Sequence, residues 1–241
     1  MDYDYVLVID FGGQYAHLIT RRIRELGVYT EFLSAENASL EELREAIRGA
    51  KGVILSGGPS SVWEGKHDHI ASIVVEEAKP TLGICYGHQL LAKVLGGSVG
   101  RAYKPEFGPT IVSVKARGDP IFDGIPETIV AWMSHNDVVL QPPQGAVVLA
   151  TSQGSPVAAF RVGVVYGVQW HPEVVHTMFG LKLIRNWLKL IGVERNWKPE
   201  HMVDKLIASI REAVGDGVAV AAVSGGVDST TASLLAERAL G

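Results

Sequence analysis

Short runs of β-branched residues alternate with segments of helical periodicity through the first half of the chain, and this alternation restricts the fold more than any other feature. Such a chain builds a parallel sheet, because each crossover between parallel strands is a helix that covers one face of the sheet. Four strands are predicted at residues 5–10, 28–33, 52–56 and 81–85, with helices at residues 15–26, 39–48 and 70–78. We therefore predict an α/β fold with an open, mixed, mostly parallel sheet flanked by helices.

The pattern changes after a helix that begins near Gly87. Strands separated by turns are predicted at residues 98–103, 110–115, 128–133, 146–151, 157–160 and 164–170. An amphipathic helix at residues 177–191 then closes the unit. We predict a first domain at residues 1–192, followed by a linker at residues 193–200.

Residues 201–241 are predicted to be the N-terminal part of a second α/β domain that binds a nucleotide. A helix that starts at Pro199 reaches Gly215, an apolar strand is predicted at residues 218–223, and a glycine-rich loop leads into a last helix. These elements are too few to build a core by themselves. We therefore expect this second domain to be incomplete at Gly241.

Composition and charge exclude several classes of protein. With 47% hydrophobic and 20% charged residues the chain is typical of globular proteins. Its net charge of −4 does not favour binding to the negatively charged backbone of nucleic acid. No apolar run approaches the roughly 18 residues that span a bilayer, and the N-terminus lacks the features of a secretory signal. We expect a cytoplasmic protein that binds neither nucleic acid nor membranes.

The single cysteine, Cys85, lies in the segment Gly83-Ile84-Cys85-Tyr86-Gly87, between a predicted strand and a predicted helix. Glycines two residues to either side permit a tight turn that exposes a nucleophile at the end of the sheet. The N-terminus of the helix favours the thiolate, and the amide of Tyr86 would face a developing oxyanion. A lone cysteine in an apolar setting is ordinarily a buried structural residue, but this context favours a nucleophile.

A cysteine nucleophile needs a base and a group that orients the base. His171 and Glu173 meet both needs, because Pro172 favours an extended conformation that projects the two side chains to the same side. The sequence thus predicts a Cys85-His171-Glu173 triad. Among the other histidines, His67 and His69 are predicted to lie in a solvated polar loop, while His17 and His201 lie in helical patterns.

Three polar or glycine-rich segments are candidates for ligand contacts. In Ser56-Gly57-Gly58-Pro59 the glycines allow close approach of a ligand to backbone amides, although a plain turn explains the segment equally well. Ser134-His135-Asn136-Asp137 follows a strand and suits a zwitterion, with a polar loop as the alternative. Ser224-Gly225-Gly226-Val227-Asp228-Ser229-Thr230 follows an apolar strand and precedes a helix, which is typical of a phosphate cradle, although it lacks the lysine of a Walker A loop.

Taken together, these motifs resemble the class I glutamine amidotransferases, and within them the glutamine-hydrolysing GMP synthase family. The glycine-flanked Cys85 with the later His171-Pro172-Glu173 marks the class. The opening Asp10-Phe11-Gly12-Gly13-Gln14-Tyr15 and the Ser224-Gly225-Gly226-Val227-Asp228-Ser229 loop, which resembles an ATP pyrophosphatase loop, narrow the resemblance to GMP synthases.

The resemblance implies a flavodoxin-like fold and hydrolysis of glutamine through a thioester on Cys85, with no cofactor. It implies oxyanion contacts from Gly58 and Tyr86, and it implies glutamine contacts from these six residues: Gly57, Gln89, Ser134, His135, Asn136 and Asp137. In the complete enzyme it implies a homodimer in which the ammonia aminates xanthosine monophosphate to GMP at the expense of ATP, as a ligase of purine biosynthesis. Ser224, Gly225, Gly226, Val227, Asp228, Ser229 and Thr230 would bind the ATP, with Mg²⁺ at Asp228.

Two departures from the family pattern bear on these implications. Asn136 stands where many members carry glycine, which alters the loop more than the chemistry, and the chain ends at Gly241 before the rest of the ATP pyrophosphatase domain. Two alternatives remain open: a glutaminase component of another amidotransferase, and a non-catalytic glutamine-binding module on the same fold.

Overall fold

A computed structural model describes residues 3–241, so the first two residues of the predicted first domain lie outside it. By internal contacts the chain divides into two compact units, of which the first ends at Arg195 and the second comprises Asn196–Gly241. Within the described residues, the first unit holds one nine-stranded sheet in the order β2-β1-β3-β4-β9-β8-β7-β5-β6. The strands are β1 (Tyr5–Asp10), β2 (Tyr29–Ser34), β3 (Gly52–Leu55), β4 (Thr81–Ile84), β5 (Ser98–Val114), β6 (Thr128–Gln141), β7 (Val147–Ser152), β8 (Ala159–Val162) and β9 (Val165–Val168).

Strands β1 to β4 and β9 pair in parallel, whereas the pairs that join β9, β8, β7, β5 and β6 are antiparallel. The helices of this unit are α1 (Ala16–Glu25), α2 (Leu40–Gly49), α3 (Asp68–Glu76), α4 (Tyr86–Val94) and α5 (Gly180–Leu190). The predicted mixed α/β fold with a sheet flanked by helices is therefore confirmed, but the sheet is not mostly parallel, since four of its strand pairs are parallel and four are antiparallel. A capping box begins α2, since the Ser39 hydroxyl accepts from the Glu42 amide while the Glu42 carboxylate accepts from the Ser39 amide.

The sheet is buried on both faces, which explains why its strands read as continuous apolar runs. Along β1, Val6 and Val8 point into one hydrophobic core, and Leu7 and Ile9 point into the other. Helices cover both cores, and the carboxyl ends of β1, β3 and β4 are left at one edge of the sheet. Open α/β sheets bind ligands at this edge.

Two strands are longer than the sequence predicts. The predicted strands at residues 98–103 and 110–115 are parts of one strand, β5, which pairs with β6 across register shifts after Ser98 and Arg101. The predicted loop at Ser134 to Asp137 lies inside β6. The hydrogen bonds between β5 and β6 extend both strands, and residue preferences along the chain do not predict this pairing.

The second unit contains α6 (Pro199–Val214) and α7 (Val227–Leu240). The strand predicted at residues 218–223 is not formed in this unit, which corrects that prediction. Val218 and Val220 are 91% and 94% exposed, so the segment has neither a partner strand nor a core to cover it. A single strand without a neighbour leaves its backbone groups to water.

Candidate active site

Cys85 occupies the single position between β4 and α4, with φ 52° and ψ −103°. Two close backbone approaches explain the flanking glycines. A Cβ on Gly83 would lie 2.6 Å from the Gly87 carbonyl oxygen, and a Cβ on Gly87 would overlap the carbonyl oxygen of Leu55. Larger residues would push α4 away from the sheet. The turn thus holds Cys85 in a strained conformation of the kind found at nucleophiles.

His171 lies just beyond β9 and is anchored through its backbone. Its amide donates to the Trp132 carbonyl at 3.0 Å, and its carbonyl accepts from the Thr177 hydroxyl at 2.6 Å. The Nδ1 atom lies 2.7 Å from Oε1 of Glu173, whose own carbonyl accepts from Nε of Arg22 at 2.9 Å. Both side chains are buried. Because Glu173 engages Nδ1, the other ring nitrogen, Nε2, is the one available to the thiol of Cys85.

The environment of His171 favours its charged form. Burial lowers the pKa, but hydrogen bonds and charge interactions with Cys85 and Glu173 outweigh burial and raise the pKa of His171 to about 10. The imidazole therefore holds a proton at neutral pH. A protonated imidazole beside a cysteine is the arrangement that stabilises a thiolate.

The sulfur of Cys85 has two further polar neighbours. Its Sγ lies 3.6 Å from the Ser134 carbonyl oxygen and 3.8 Å from Nε2 of Gln169, which donates to it. Gly57 and Gly58 face the same space, since a Cβ on Gly57 would lie 3.0 Å from Cε1 of His171 and one on Gly58 would lie 2.9 Å from the Phe11 carbonyl oxygen. The loop after β3 is therefore close enough to Cys85 and His171 for its amides to reach a bound ligand.

Two clefts meet at Cys85. The histidine cleft, of about 290 Å³, is lined by His171 and by residues of the β1–α1 loop, namely Gly12, Gly13, Gln14 and Tyr15. The carboxylate cleft, of about 390 Å³, is lined by polar and charged groups that include Ser61, Glu64, Gln89, Arg101, Asn136 and Asp137. Gly58, Pro59, Cys85 and Ser134 line both clefts.

Asp137 is the centre of the polar contacts in the carboxylate cleft. Its Oδ2 accepts from the Ser61 hydroxyl at 2.8 Å, and its Oδ1 lies 3.5 Å from Nε of Arg101. The carbonyl of Asp137 accepts from Nε2 of Gln89 at 2.6 Å, and Gln89 also donates to Oε1 of Gln169 at 3.2 Å. A carboxylate and a guanidinium side by side offer complementary charges to an α-amino acid.

His135 and Asn136 differ in what their side chains contact. The alternation of β6 leaves Ser134 and Asn136 exposed and buries His135. Nε2 of His135 lies 3.2 Å from Oε2 of Glu106, which also accepts from the Ser152 hydroxyl at 2.7 Å, while Oε1 accepts from the Gly154 amide at 2.9 Å. The Glu106 carboxylate therefore ties the segment that contains Ser134 to the turn after β7.

The surroundings of His67 correct the prediction that it lies in a solvated loop. His67 is only 2% exposed and precedes α3. Its Nδ1 lies 2.9 Å from the hydroxyl of Tyr86, and its ring packs against Phe11. The ring of Tyr86, itself buried, packs edge-on beside His67, so this histidine belongs to the core.

Several neighbours of the site carry no motif of their own. Gln169, Ser61 and two residues of β5, Arg101 and Glu106, reach it from three different places in the chain. The only sequence signal for Gln169 is its place at the end of an apolar strand, two residues before His171. The pairing of β5 with β6 brings Arg101 opposite Asp137, and no local pattern reveals it.

The predicted phosphate cradle is spread over a loop and a helix. Val227, Asp228, Ser229 and Thr230 form the first turn of α7, and only Ser224, Gly225 and Gly226 precede it. The hydroxyls of Ser224 and Ser229 lie 3.1 Å apart, and Gly225 has φ 83°. Across residues 3–241 no group of three or more His, Cys, Asp or Glu side chains is placed to hold a metal ion, so Asp228 belongs to no such group.

Comparison with known proteins places this site in context. Residues 7–191 match the family described as glutamine amidotransferase class-I. The glutamine-hydrolysing GMP synthase of Aeropyrum pernix is 58% identical over all of this chain and 47% of its own length. That of Pyrobaculum aerophilum is 48% identical over 98% of this chain and 46% of its own length. The chain thus spans about half the length of these curated relatives.

Solved structures show the same fold. A Thermoplasma acidophilum protein described as a candidate component of GMP synthase has a TM-score of 0.72 and 32% identity, covering 85% of this chain and 99% of its own. A glutamine amidotransferase from Thermotoga maritima has a TM-score of 0.59 and 24% identity, covering 85% of this chain and 86% of its own. In the part of this chain that is described, no helix is long and apolar enough to cross a membrane.

Proposed function

This chain belongs to the class-I glutamine amidotransferase family, and we propose that Cys85, His171 and Glu173 are the triad with which it hydrolyses glutamine to glutamate and ammonia. The observation that carries the proposal is the contact of 2.7 Å between Nδ1 of His171 and Oε1 of Glu173, beside a cysteine at a strained strand-to-helix turn. Nucleophile, base and orienting group are then in reach of one another.

In the first half of the reaction the thiolate of Cys85 attacks the side-chain carbonyl carbon of glutamine. The backbone amides of Gly58 and Tyr86 are proposed to stabilise the oxyanion, because both belong to turns that face the sulfur. His171 gives its proton to the amide nitrogen, the carbon–nitrogen bond breaks, and ammonia leaves a γ-glutamyl thioester. Glu173 stabilises the charged imidazole and fixes its orientation.

In the second half a water molecule attacks the thioester. Nε2 of His171 accepts a proton from this water, the carbon–sulfur bond breaks, and glutamate leaves while Cys85 returns to the thiolate. Each proton taken up by His171 in one half is released in the other. No cofactor is needed for this sequence.

The carboxylate cleft is the proposed site for the amino and carboxyl groups of glutamine. Asp137 would receive the α-ammonium, with Gln89, Ser134, His135 and Asn136 as further contacts in this cleft. Of these, His135 contributes through its backbone, because its side chain is buried against Glu106. Because Cys85 lines the same cleft, a glutamine whose charged end is bound there would present its side-chain amide to the sulfur. Gly57 lines the histidine cleft and is proposed to contact the glutamine nearer to its amide.

The wider proposal is that the ammonia serves GMP synthesis, as the names of relatives at 58% and 48% identity suggest. In that reaction ATP activates xanthosine monophosphate, with Ser224 to Thr230 binding MgATP and Asp228 near the metal. Residues 201–241 would then be the beginning of the ATP pyrophosphatase domain. A homodimer and a cytoplasmic location stay predictions.

The proposal is tested by Cys85→Ala. This variant removes the nucleophile and little else, so glutamine hydrolysis should fall by about 10⁴-fold or more, to the level that binding and oxyanion stabilisation alone support. Glutamate release is measured, with the thermal midpoint as a control for folding. Hydrolysis at the wild-type rate would show that Cys85 is not the nucleophile.

The two alternatives make different predictions. A glutaminase component of another amidotransferase would hydrolyse glutamine equally well, but its activity would not respond to xanthosine monophosphate and ATP in the complete enzyme. A non-catalytic glutamine-binding module would bind glutamine without forming glutamate, even with Cys85, His171 and Glu173 intact.

A further inference from the structure

The two clefts that meet at Cys85 differ in which groups they expose to the sulfur. Asp137, Gln89 and Arg101 line the carboxylate cleft alone, whereas His171 lines the histidine cleft alone. The groups suited to recognising an amino acid and the group that transfers protons therefore line different clefts, which share the nucleophile.

This separation sets the direction in which the leaving group departs. When glutamine binds with its charged end in the carboxylate cleft, its carbonyl carbon lies at Cys85 and its amide nitrogen must face His171 to receive a proton. A proton donor has to lie within hydrogen-bond reach of the atom that it protonates. The amide nitrogen therefore points into the histidine cleft.

We infer that ammonia leaves, and the hydrolytic water enters, through the histidine cleft, between the β1–α1 loop and the loop after β3. The glutamyl group of the thioester still fills the carboxylate cleft, so of the two clefts only this one gives access to the thioester carbon. The attacking water takes the place of the departed ammonia, since it must give its proton to the same Nε2 of His171. The inference rests on the proposed glutaminase function.

The residues that line the histidine cleft suit the passage of small polar molecules such as ammonia and water. Tyr15 packs edge-on against the ring of His171, with centroids 5.0 Å apart, and Gln14 is exposed at the mouth. Gly13 allows the β1–α1 loop to lie close to the loop after β3, because a Cβ there would overlap the Gly57 carbonyl oxygen and would force the two loops apart. Gln14 is thus the position at which a larger side chain can narrow the mouth without entering the core.

The route is tested by nucleophiles of two sizes that compete with water for the thioester. Hydroxylamine attacks the thioester carbon and displaces the thiolate, giving γ-glutamyl hydroxamate; O-methylhydroxylamine reacts in the same way but carries one more methyl group. The ratio of the two hydroxamates, measured at saturating glutamine, reports access to the thioester and does not depend on how much active protein is present.

Gln14→Trp should lower the ratio of O-methyl hydroxamate to hydroxamate by about tenfold, the discrimination that a methyl-sized difference produces at a tight site. Phe107→Trp enlarges a residue that lines only the carboxylate cleft and is 63% exposed, so it should change the KM for glutamine and leave the ratio as it is. Gln14→Phe, a smaller enlargement at the same exposed position, should give an intermediate ratio and replaces Gln14→Trp if that variant proves unstable.

A ratio that falls in Phe107→Trp, or that stays constant in both Gln14 variants, would overturn the assignment of the route. Failure of the proposed function would give different results. A wild-type chain that forms neither glutamate nor hydroxamate would contradict the thioester intermediate, and so would a Cys85→Ala variant that forms both. Hydroxamate formation by the wild type therefore separates the two claims.

Discussion

At the scale of single residues, the proposed chemistry depends on the positive charge of the His171 ring, which burial disfavours. His171 is buried, yet its contacts with Cys85 and Glu173 keep its pKa high, at about 10. A buried imidazolium is stable only with a partner that carries or shares the opposite charge. The triad is therefore an electrostatic unit in which each member depends on the other two.

Substitutions at His171 and Glu173 should differ in severity. Glu173→Gln keeps a group that accepts a hydrogen bond from Nδ1 but cannot stabilise the charged ring, whereas His171→Ala removes the proton carrier. General acid–base groups contribute about 10²- to 10⁴-fold, and we expect His171→Ala near the upper end of that range and Glu173→Gln well below it. Rates of glutamate formation for the two variants decide this, and a larger loss in Glu173→Gln would contradict the assigned roles.

At the scale of elements, α4 is positioned by a second buried histidine that takes no part in the reaction. His88 lies one turn after Cys85, and its Nε2 donates to the Val157 carbonyl at 3.0 Å. Burial, the largest influence, lowers the pKa of His88 to about 3. The contact of α4 with the segment that precedes β8 thus depends on a neutral ring.

His88 should make the fold sensitive to mild acid. Its folded pKa lies below the unfolded value of 6.5, so the unfolded chain binds a proton that the folded chain refuses. Stability is fully present above pH 6.5 and falls as the pH drops, at a slope approaching about 1.4 kcal/mol per pH unit for this group. Urea unfolding at pH 7 and pH 5 should show a smaller loss for His88→Asn than for the wild type.

His69→Gln provides the matched control, since His69 is exposed in α3. The pH dependence of this variant should equal that of the wild type. An unchanged slope in His88→Asn would mean that the ring is already protonated in the folded state.

The β5–β6 pair makes a second prediction at this scale. Glu106 accepts from His135, Ser152 and the Gly154 amide, so Glu106→Ala leaves two buried donors and the half-buried Ser152 hydroxyl without this acceptor. We expect a loss of about 2–4 kcal/mol in the free energy of unfolding. The KM for glutamine should also rise, because Ser134 and Asp137 lie on the strand that Glu106 anchors.

The exposed Glu127 serves as a comparison for Glu106, because its pair with Arg117 is solvated. Glu127→Ala should change stability by less than about 1 kcal/mol and leave the KM as it is. Equal effects of the two substitutions would show that the buried carboxylate does not support the site.

The helices and strands differ in whether the sequence alone predicts them. The four parallel strands and their helices were predictable, because each is a local pattern of apolar residues and turn residues. Local signals do not report pairing between distant segments. The continuity of β5, the inclusion of Ser134 in β6 and the absence of a strand at residues 218–223 all depend on whether a neighbouring strand is present.

The residues of the candidate site differ in the same way, because some lie in local motifs and others reach the site only through tertiary contacts. Cys85, His171 and Glu173 lie in short motifs whose geometry is mostly local, so the sequence alone suggests them. Arg101 and Glu106 reach the site through the register of β5 on β6, and the burial of His67 depends on the packing of Tyr86. Contacts made by tertiary packing have no local signature.

At the scale of the whole molecule, the proposed division of labour assigns glutamine to the first unit and ATP to the second. The second unit has an exposed segment at residues 218–223 and two helices. A site that is organised in only a fraction of molecules binds more weakly by that fraction. We therefore expect this chain to bind MgATP weakly or not at all by titration calorimetry.

A chain extended to the length of the curated relatives should bind MgATP, and Asp228→Ala should then weaken its magnesium-dependent use of ATP. The same substitution should leave thioester formation on Cys85 unchanged. Tight binding by the present chain would show that Ser224 to Thr230 are organised without further residues.

The central claim, that Cys85 is a nucleophile in a glutamine site, is tested most directly by the rate at which iodoacetamide labels the protein with and without glutamine. Because Cys85 is the single cysteine, the mass of the intact protein reports this site alone. We expect rapid labelling that L-glutamine suppresses and D-glutamine does not. Labelling that is slow, or equally fast with L-glutamine present, would contradict the claim.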